Sequence, residues 1–509
     1  MINTFFHTRL TRDCGKTALT EWDTQVSYTY GELAARAHHL ACFLSETCGV
    51  VFGDRVAIFA RNNVCYLDVL YAMPSLGAIM TSYNHMLKIQ ELEEMFTQEA
   101  PKVFLYEPHF IKKVEYLQTL LPTCMFIPLD HQNQPEGMSH DPAVVRETWL
   151  EPVAHPDISL ESTLMLLHTG GTTGTPKAAK ISYRSIINNT LAQIVTFGIT
   201  HTDKAYISYP LFHGGGWNYT MMLLTAGGEI VYKNKFSVED TWKMIETARL
   251  TLLAGSPSVF RRMQEDEKFA EVDFSSVRMI RCGGAPPSRD LVECYEKKGL
   301  LFYNGYGTTE VGFGVLSLPA GAMTSEERLQ KAGAVGKAML FSEVRLVDSD
   351  GNDVACGQRG EIIIRGGLMF SGYWENEEET MRSLRDGWFY TGDIGEKDHD
   401  GFYYICGRKK NMFISGGENI YPPEIENVIL GHPDVRDACV IGVADQDWGE
   451  VGKAIVVRKK TLDEGMLLAY MKQRLSTIRV PKYIQFVDEL PRNEAGKLMN
   501  QEVIARYSI

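Results

Sequence analysis

The stretch HTGGTTGTPKAAK (168–180) sets three glycines, four threonines and two lysines in thirteen positions. Glycines let backbone N–H groups approach an anion, hydroxyls donate to it and a lysine neutralises its charge, which is the chemistry of a polyphosphate cradle. A P-loop needs Gly-Lys followed by Ser or Thr. Here Thr175 and Pro176 separate Gly174 from Lys177, and Ala178 follows, so the cradle is not of that kind. Five other small-residue loops carry committed polar groups: PLFHGGGWN (210–218), CGGAPPS (282–288), NGYGTTE (304–310), YTGD (390–393) and PRNEAGK (491–497). In NGYGTTE a carboxylate beside hydroxyls suits a hard cation. Each loop alone reads as a turn.

The elements that must position these loops follow from patterning. Near-continuous apolar runs such as DRVAIFA (54–60), KVFLYE (102–107), AYISYP (205–210), TLLAGS (251–256) and VRMIRCGG (277–284) predict buried strands. Helical spacing in YGELAARAHHLACFLSE (30–46), CYLDVLYAMPSLGA (65–78) and VEDTWKMIETAR (238–249) alternates with them, which argues for α/β layers. After about residue 340 short strands flank Asp-Gly turns, in EVRLVDSDGNDV (343–354) and DHDGFYYICGR (398–408). Beyond GRKKN (407–411) a compact α+β unit follows, a candidate mobile lid. The fold class expected is α/β: a large, multi-layered N-terminal domain with mixed sheets (1–407), a hinge at 408–410 and a small α+β C-terminal lid domain (411–509).

Composition narrows the function. A 509-residue chain exceeds a single core. A formal charge of -13 opposes a nucleic-acid surface, which needs a basic face. Ten scattered cysteines without a C-x-x-C pair fit reduced thiols in a cytoplasm. The amino-terminal stretch lacks the apolar run of a signal peptide, and VLYAMPSLGAIM (69–80) is too short to span a bilayer. A cytoplasmic protein without a transmembrane segment is expected; peripheral membrane contact and a homodimer stay open.

Taken together and in this order, the six loops resemble the adenylate-forming superfamily: acyl-CoA synthetases, carrier-loading adenylation domains and firefly-type luciferases. The resemblance runs from about residue 27 to 500. It implies that residues 168–180 form a flexible phosphate loop, in which Thr169, Gly170, Gly171, Thr172, Thr173, Gly174 and Lys177 hold the β- and γ-phosphates of ATP. Gly170 and Ala178 stand where many members have Ser and Gly. By the same resemblance Glu310 helps ligate Mg²⁺, Thr309 touches the α-phosphate and Tyr306 stacks on adenine, with Gly307 and Thr308 in the same loop. Gly284, Ala285 and Pro286 form the other wall of the adenine slot. Asp393, an acceptor-only group, takes the ribose hydroxyls, and Arg408 contacts the ribose–phosphate end. His213, Gly214 and Trp217 wall the acid pocket. That stretch lacks the Asp with which amino-acid-activating relatives pair the α-ammonium, so a largely apolar carboxylic acid, fatty or otherwise, is expected. Lys497 is the lid lysine bridging carboxylate and α-phosphate. Lys410 sits at the hinge, and Gly416 and Gly417 lie in the loop lining the thiol tunnel. The activity implied is an ATP-dependent acyl-CoA synthetase using ATP, Mg²⁺ and coenzyme A. A ligase loading a carrier-protein phosphopantetheine and a non-catalytic nucleotide-binding paralogue are the alternatives.

Overall fold

A computed structural model describes residues 2–138, 155–169, 176–285, 287–312, 314–319, 323–459, 461–492 and 498–508. Two largely parallel sheets and an antiparallel one build the large part of the molecule, and a fourth sheet builds the small part. In the nine-stranded sheet, Leu301–Tyr306, Met279–Cys282, Leu252–Gly255, Lys204–Ile207, Glu229–Tyr232 and Thr17–Glu21 run parallel as successive neighbours. The six-stranded sheet runs Met125–Pro128, Val103–Tyr106, Arg55–Phe59, Ile79–Ser82 and Thr163–His168 in parallel, with Ala178–Ser182 antiparallel at its edge. Strands such as Leu252–Gly255 and Met279–Cys282 are buried at every position, because helices cover both faces of a parallel sheet.

Two helices lie between the sheets and bear on the site. Tyr183–Phe197 is capped by the Ser182 side chain accepting from the Ser185 N–H, and it ends at Gly198 in the left-handed region. Gly214–Ala226 begins at His213, whose Nδ1 accepts from the Gly215 N–H at 3.0 Å, and ends at Gly227 with φ +86°. The helices pack on each other within the largest apolar core. Because the parallel strands share a direction, their carboxyl ends open on one edge. There they feed the loops 208–213, 256, 283–285 and 307–310, the crevice where open α/β sheets hold ligands.

After residue 340, Ser342–Val347, Arg359–Gly366, Leu384–Arg385, Trp388–Lys397 and Tyr403–Arg408 form an antiparallel sheet. The first strand stops before the Asp-Gly turn rather than running through it: Asp348 Oδ1 accepts from the N–H groups of Asp350 and Asn352. A single 3₁₀ turn, Lys409–Asn411, leads to the small part. Its sheet joins Phe413–Ser415, Glu418–Ile420, Gly449–Arg458, Val435–Asp445 and Tyr483–Val487, and encloses its own core of Phe413, Ile425, Ile429, Val440, Val456 and Leu467. Ion pairs Arg359–Glu424 and Lys459–Glu265 tie it to the large part. Among the described residues no helix is long and apolar enough to cross a membrane.

Candidate active site

Three loops from different parts of the chain meet through a single tyrosine. The segment 370–374 lies along the edge strand Ala178–Ser182, with the Ser371 N–H donating to Lys180 O and the Trp374 N–H to Ala178 O. This brings Tyr373 between two predicted residues. Its hydroxyl donates to Glu310 Oε1 at 2.9 Å, and Lys177 Nζ stands 5.5 Å from its ring centroid. Burial, and then the Glu310 carboxylate, hold the Tyr373 phenol above its ordinary range, so it stays a donor. Lys177 Nζ also pairs with Glu379 Oε1 at 2.6 Å. Burial raises the Glu379 carboxyl, and the Lys177 ammonium more than offsets it, leaving the group below its usual value. The Phe370 N–H donates to Glu310 O at 2.7 Å, which pins the 309–311 turn against the same segment.

The residues on either side of 170–175 meet in a closed neck. The Thr169 N–H donates to Lys177 O at 2.9 Å, and His168 pairs with Ala178 across the sheet edge. Behind the neck, buried Glu99 accepts from Thr81 Oγ1 and lies against His168 Nε2. Gly170, Gly171, Thr172, Thr173 and Gly174 lie outside the described residues, as do Pro286 and Lys497.

A second cluster forms around Asp393, which is buried on the strand Trp388–Lys397. Tyr306 Oη donates to its Oδ2 at 2.6 Å and Arg408 Nε to its Oδ1 at 2.8 Å. Burial first, and Asp393 second, raise the Tyr306 phenol. Between the clusters Thr308 Oγ1 is buried without a protein partner. Gly284 adopts φ +87° with open space where a Cβ would project, and Ala285 follows it.

The model of the AMP-binding enzyme family matches residues 6–374, and that of the AMP-binding enzyme C-terminal domain matches residues 424–497. The chain belongs to the AMP-binding enzyme family. It is 34% identical over 482 residues to a feruloyl-CoA synthase from Amycolatopsis sp., covering 94% of each chain. To an indoleacetate–CoA ligase from Aromatoleum aromaticum it is 33% identical, over 96% of this chain and 94% of that one. Among solved structures, ATP-bound MatB from Rhodopseudomonas palustris superposes with a TM-score of 0.89 at 28% identity, over 100% of this chain and 99% of that one. This AMP-binding enzyme is an AMP-forming acid–thiol ligase, working with ATP, Mg²⁺ and CoA.

The residues of this AMP-binding enzyme fit that cation. Among the described residues no three His, Cys, Asp or Glu side chains cluster as a metal cage. Mg²⁺ is commonly held by one or two carboxylates together with substrate phosphates, and half-buried Glu310 next to Thr309 offers such an oxygen.

The structure gives the remaining predicted residues the following places. Trp217 is fully buried, with its ring edge-on to Tyr66 at 6.2 Å. On the helix Gly214–Ala226 it lies about 200° around from Gly215, so it belongs to the core; the face toward the strand ends carries Gly215, Asn218 and Tyr219. His213 caps that helix and Gly214 starts it. Gly416 (φ +54°) and Gly417 (φ +85°) form the two-residue turn between Phe413–Ser415 and Glu418–Ile420, as a type I′ hairpin requires. Sequence reading missed Tyr373 and Glu379, since nothing local marks an aromatic and an acid in SGYWENEEET (371–380) as partners of residue 177.

Proposed function

We propose that this AMP-binding enzyme is an ATP-dependent acyl-CoA synthetase acting on a carboxylic acid with a largely apolar body. In the first step a carboxylate oxygen attacks the α-phosphorus of ATP; acyl-adenylate forms and pyrophosphate leaves. In the second the CoA thiol attacks the acyl carbonyl, the C–O bond to AMP breaks and the thioester forms. The observation that carries this reading is the convergence of Lys177, Tyr373 and Glu310 beside the Tyr306–Asp393–Arg408 cluster. Two anions must approach in the first step, so preorganised positive charge and alignment matter more than acid–base transfer. Lys177 and the neck at Thr169 hold the phosphate end, with Thr172 and Thr173 completing the loop. Asp393 accepts from the ribose, Arg408 neutralises the phosphate side, and Tyr306 with Gly284, Ala285 and Pro286 flanks the base. Thr309 and the orphaned Thr308 hydroxyl face the α-phosphate. Glu310 would hold Mg²⁺, which adds positive charge at the phosphates. Lys497 would cross from the lid to the attacking carboxylate. We assign residues 1–407 to the large domain, 408–410 to the hinge and 411–509 to the lid. All ten cysteines are unpaired, which supports a reducing, cytoplasmic setting.

ATP–pyrophosphate exchange driven by a panel of alkyl and aryl acids tests the first step. Exchange with at least one acid, followed by thioester formation on CoA, is expected. Exchange followed by transfer only to a carrier-protein phosphopantetheine would replace CoA as the acceptor. No exchange with any acid would mark a nucleotide-binding protein without this chemistry.

A further inference from the structure

Beneath the strand ends lies a buried cation with no anion. Arg281 is the penultimate residue of Met279–Cys282, the strand that leads into Gly283–Ala285. Its side chain leaves the sheet on the side of the two central helices, and the residue is 5% exposed. The guanidinium carbon stands 3.2 Å from the ring centroid of Phe197 and 5.8 Å from that of Tyr219. Nη1 donates to Gln193 Oε1 at 3.1 Å, whereas the buried Nε has no partner. Among the described residues no carboxylate pairs with this arginine, although the other deeply buried arginines, Arg36 and Arg328, each have one, Asp68 and Glu296. Burial draws the Arg281 guanidinium down to about 10, above neutral pH, so it keeps its charge.

A buried charge costs several kcal/mol unless a counter-charge meets it. Aromatic faces recover a part of that through cation–π attraction. The neighbouring groups extend the polar patch. Gln193 is fully buried, and Asn218, 6% exposed, has an Oδ1 without a partner. Gly314 closes on this patch: a Cβ there would fall 2.3 Å from Gln193 Nε2 and 3.7 Å from Asn218 Nδ2. Asn218 and Tyr219 lie on the helix face that also presents Gly215, beside Tyr209, whose hydroxyl reaches Gly283 O at 3.3 Å. The patch therefore sits below the same strand ends that hold the nucleotide cluster. Packing a neutral side chain against Phe197 and Tyr219 needs only methionine or leucine, and a salt-free arginine there does nothing for the core that they would not do more cheaply.

We infer that Arg281, oriented by Gln193, is a specificity site for a second carboxylate at the far end of the acid, so that the preferred substrates are dicarboxylic acids activated at one end. The inference rests on the synthetase reading above and narrows it: an apolar body between two carboxylates satisfies both the aromatic walls and the unpaired guanidinium.

ATP–pyrophosphate exchange with chain-length-matched monocarboxylic and dicarboxylic acids, straight-chain and aryl, tests it on the wild-type enzyme first. A dicarboxylate should exceed its matched monocarboxylate in kcat/KM by about a hundredfold or more, the scale for meeting a buried charge. Arg281→Met should erase that ratio by lowering the dicarboxylate value while sparing or raising the monocarboxylate one, and Arg281→Lys should restore part of it. A purely structural arginine would, on substitution, lower both series alike and leave their ratio unchanged, which would overturn the inference. So would a wild-type preference for monocarboxylates, a result that needs no variant to fold and leaves the synthetase reading standing. Absence of exchange with every acid would remove the synthetase reading and this inference with it.

Discussion

Glu310 and Lys497 act at the scale of single charges. Glu310 holds its place through its backbone, which accepts from the Phe370 N–H, and through its Oε1, which accepts from Tyr373. Glu310→Gln keeps the hydrogen bond from Tyr373 and removes the charge. The Mg²⁺ concentration at half-maximal pyrophosphate exchange should rise, by about tenfold for one lost hard ligand charge, with little change in melting temperature. An unchanged metal titration would make Glu310 a structural acid. Lys497→Ala should lower acyl-adenylate formation by about a hundredfold or more, the scale for one electrostatic group at a transition state. Thioester formation from supplied acyl-adenylate should be nearly spared; equal loss in both half-reactions would refute its role.

At the scale of an element, the hairpin turn at Gly416–Gly417 separates backbone demand from ligand access. Both residues are left-handed, and a Cβ at Gly416 would meet the Trp448 ring at 2.6 Å, whereas at Gly417 it would meet nothing within 4 Å. Any L-residue at Gly417 pays about 1–2 kcal/mol for the backbone conformation. Gly417→Ala therefore reports the strain alone, and Gly417→Leu adds bulk. If the turn faces the pantetheine path, the leucine variant accumulates acyl-adenylate in single-turnover assays and fails to transfer it to CoA. The alanine variant should lose stability and keep transfer. Equal transfer rates in both would leave the turn a purely structural device.

For the whole molecule, the question is whether the small domain turns about residue 410. Lys410 lies in the 3₁₀ turn Lys409–Asn411, which occupies φ values that proline also adopts. Lys410→Pro should therefore fold normally and restrict the backbone rotation a hinge needs. Adenylation should persist while transfer to CoA falls, measured as separate single-turnover steps. Thioester formation at the wild-type rate would refute rotation at this residue. The ion pairs Arg359–Glu424 and Lys459–Glu265, with the packing of Tyr421 on Ile394 and Cys406, are among the contacts that such a rotation would have to break.

The sequence by itself determined the alternation of buried strands and helices, because apolar runs and helical spacing act within a few residues. It also determined the family, because six polar loops in a set order carry the ligand chemistry. What only the tertiary structure decided is which side chains face one another. Trp217 and Asn218 are adjacent in the chain, yet a rotation of about 100° per residue turns Trp217 toward Tyr66 and Asn218 toward Gly314. Tyr373 joins Lys177 to Glu310 only because its segment lies along the edge strand Ala178–Ser182. The missing counter-ion of Arg281 is legible only after folding, since its possible partners lie far off in sequence. A charge in a sequence is presumed solvated; burial alone makes its unpaired state costly and so informative.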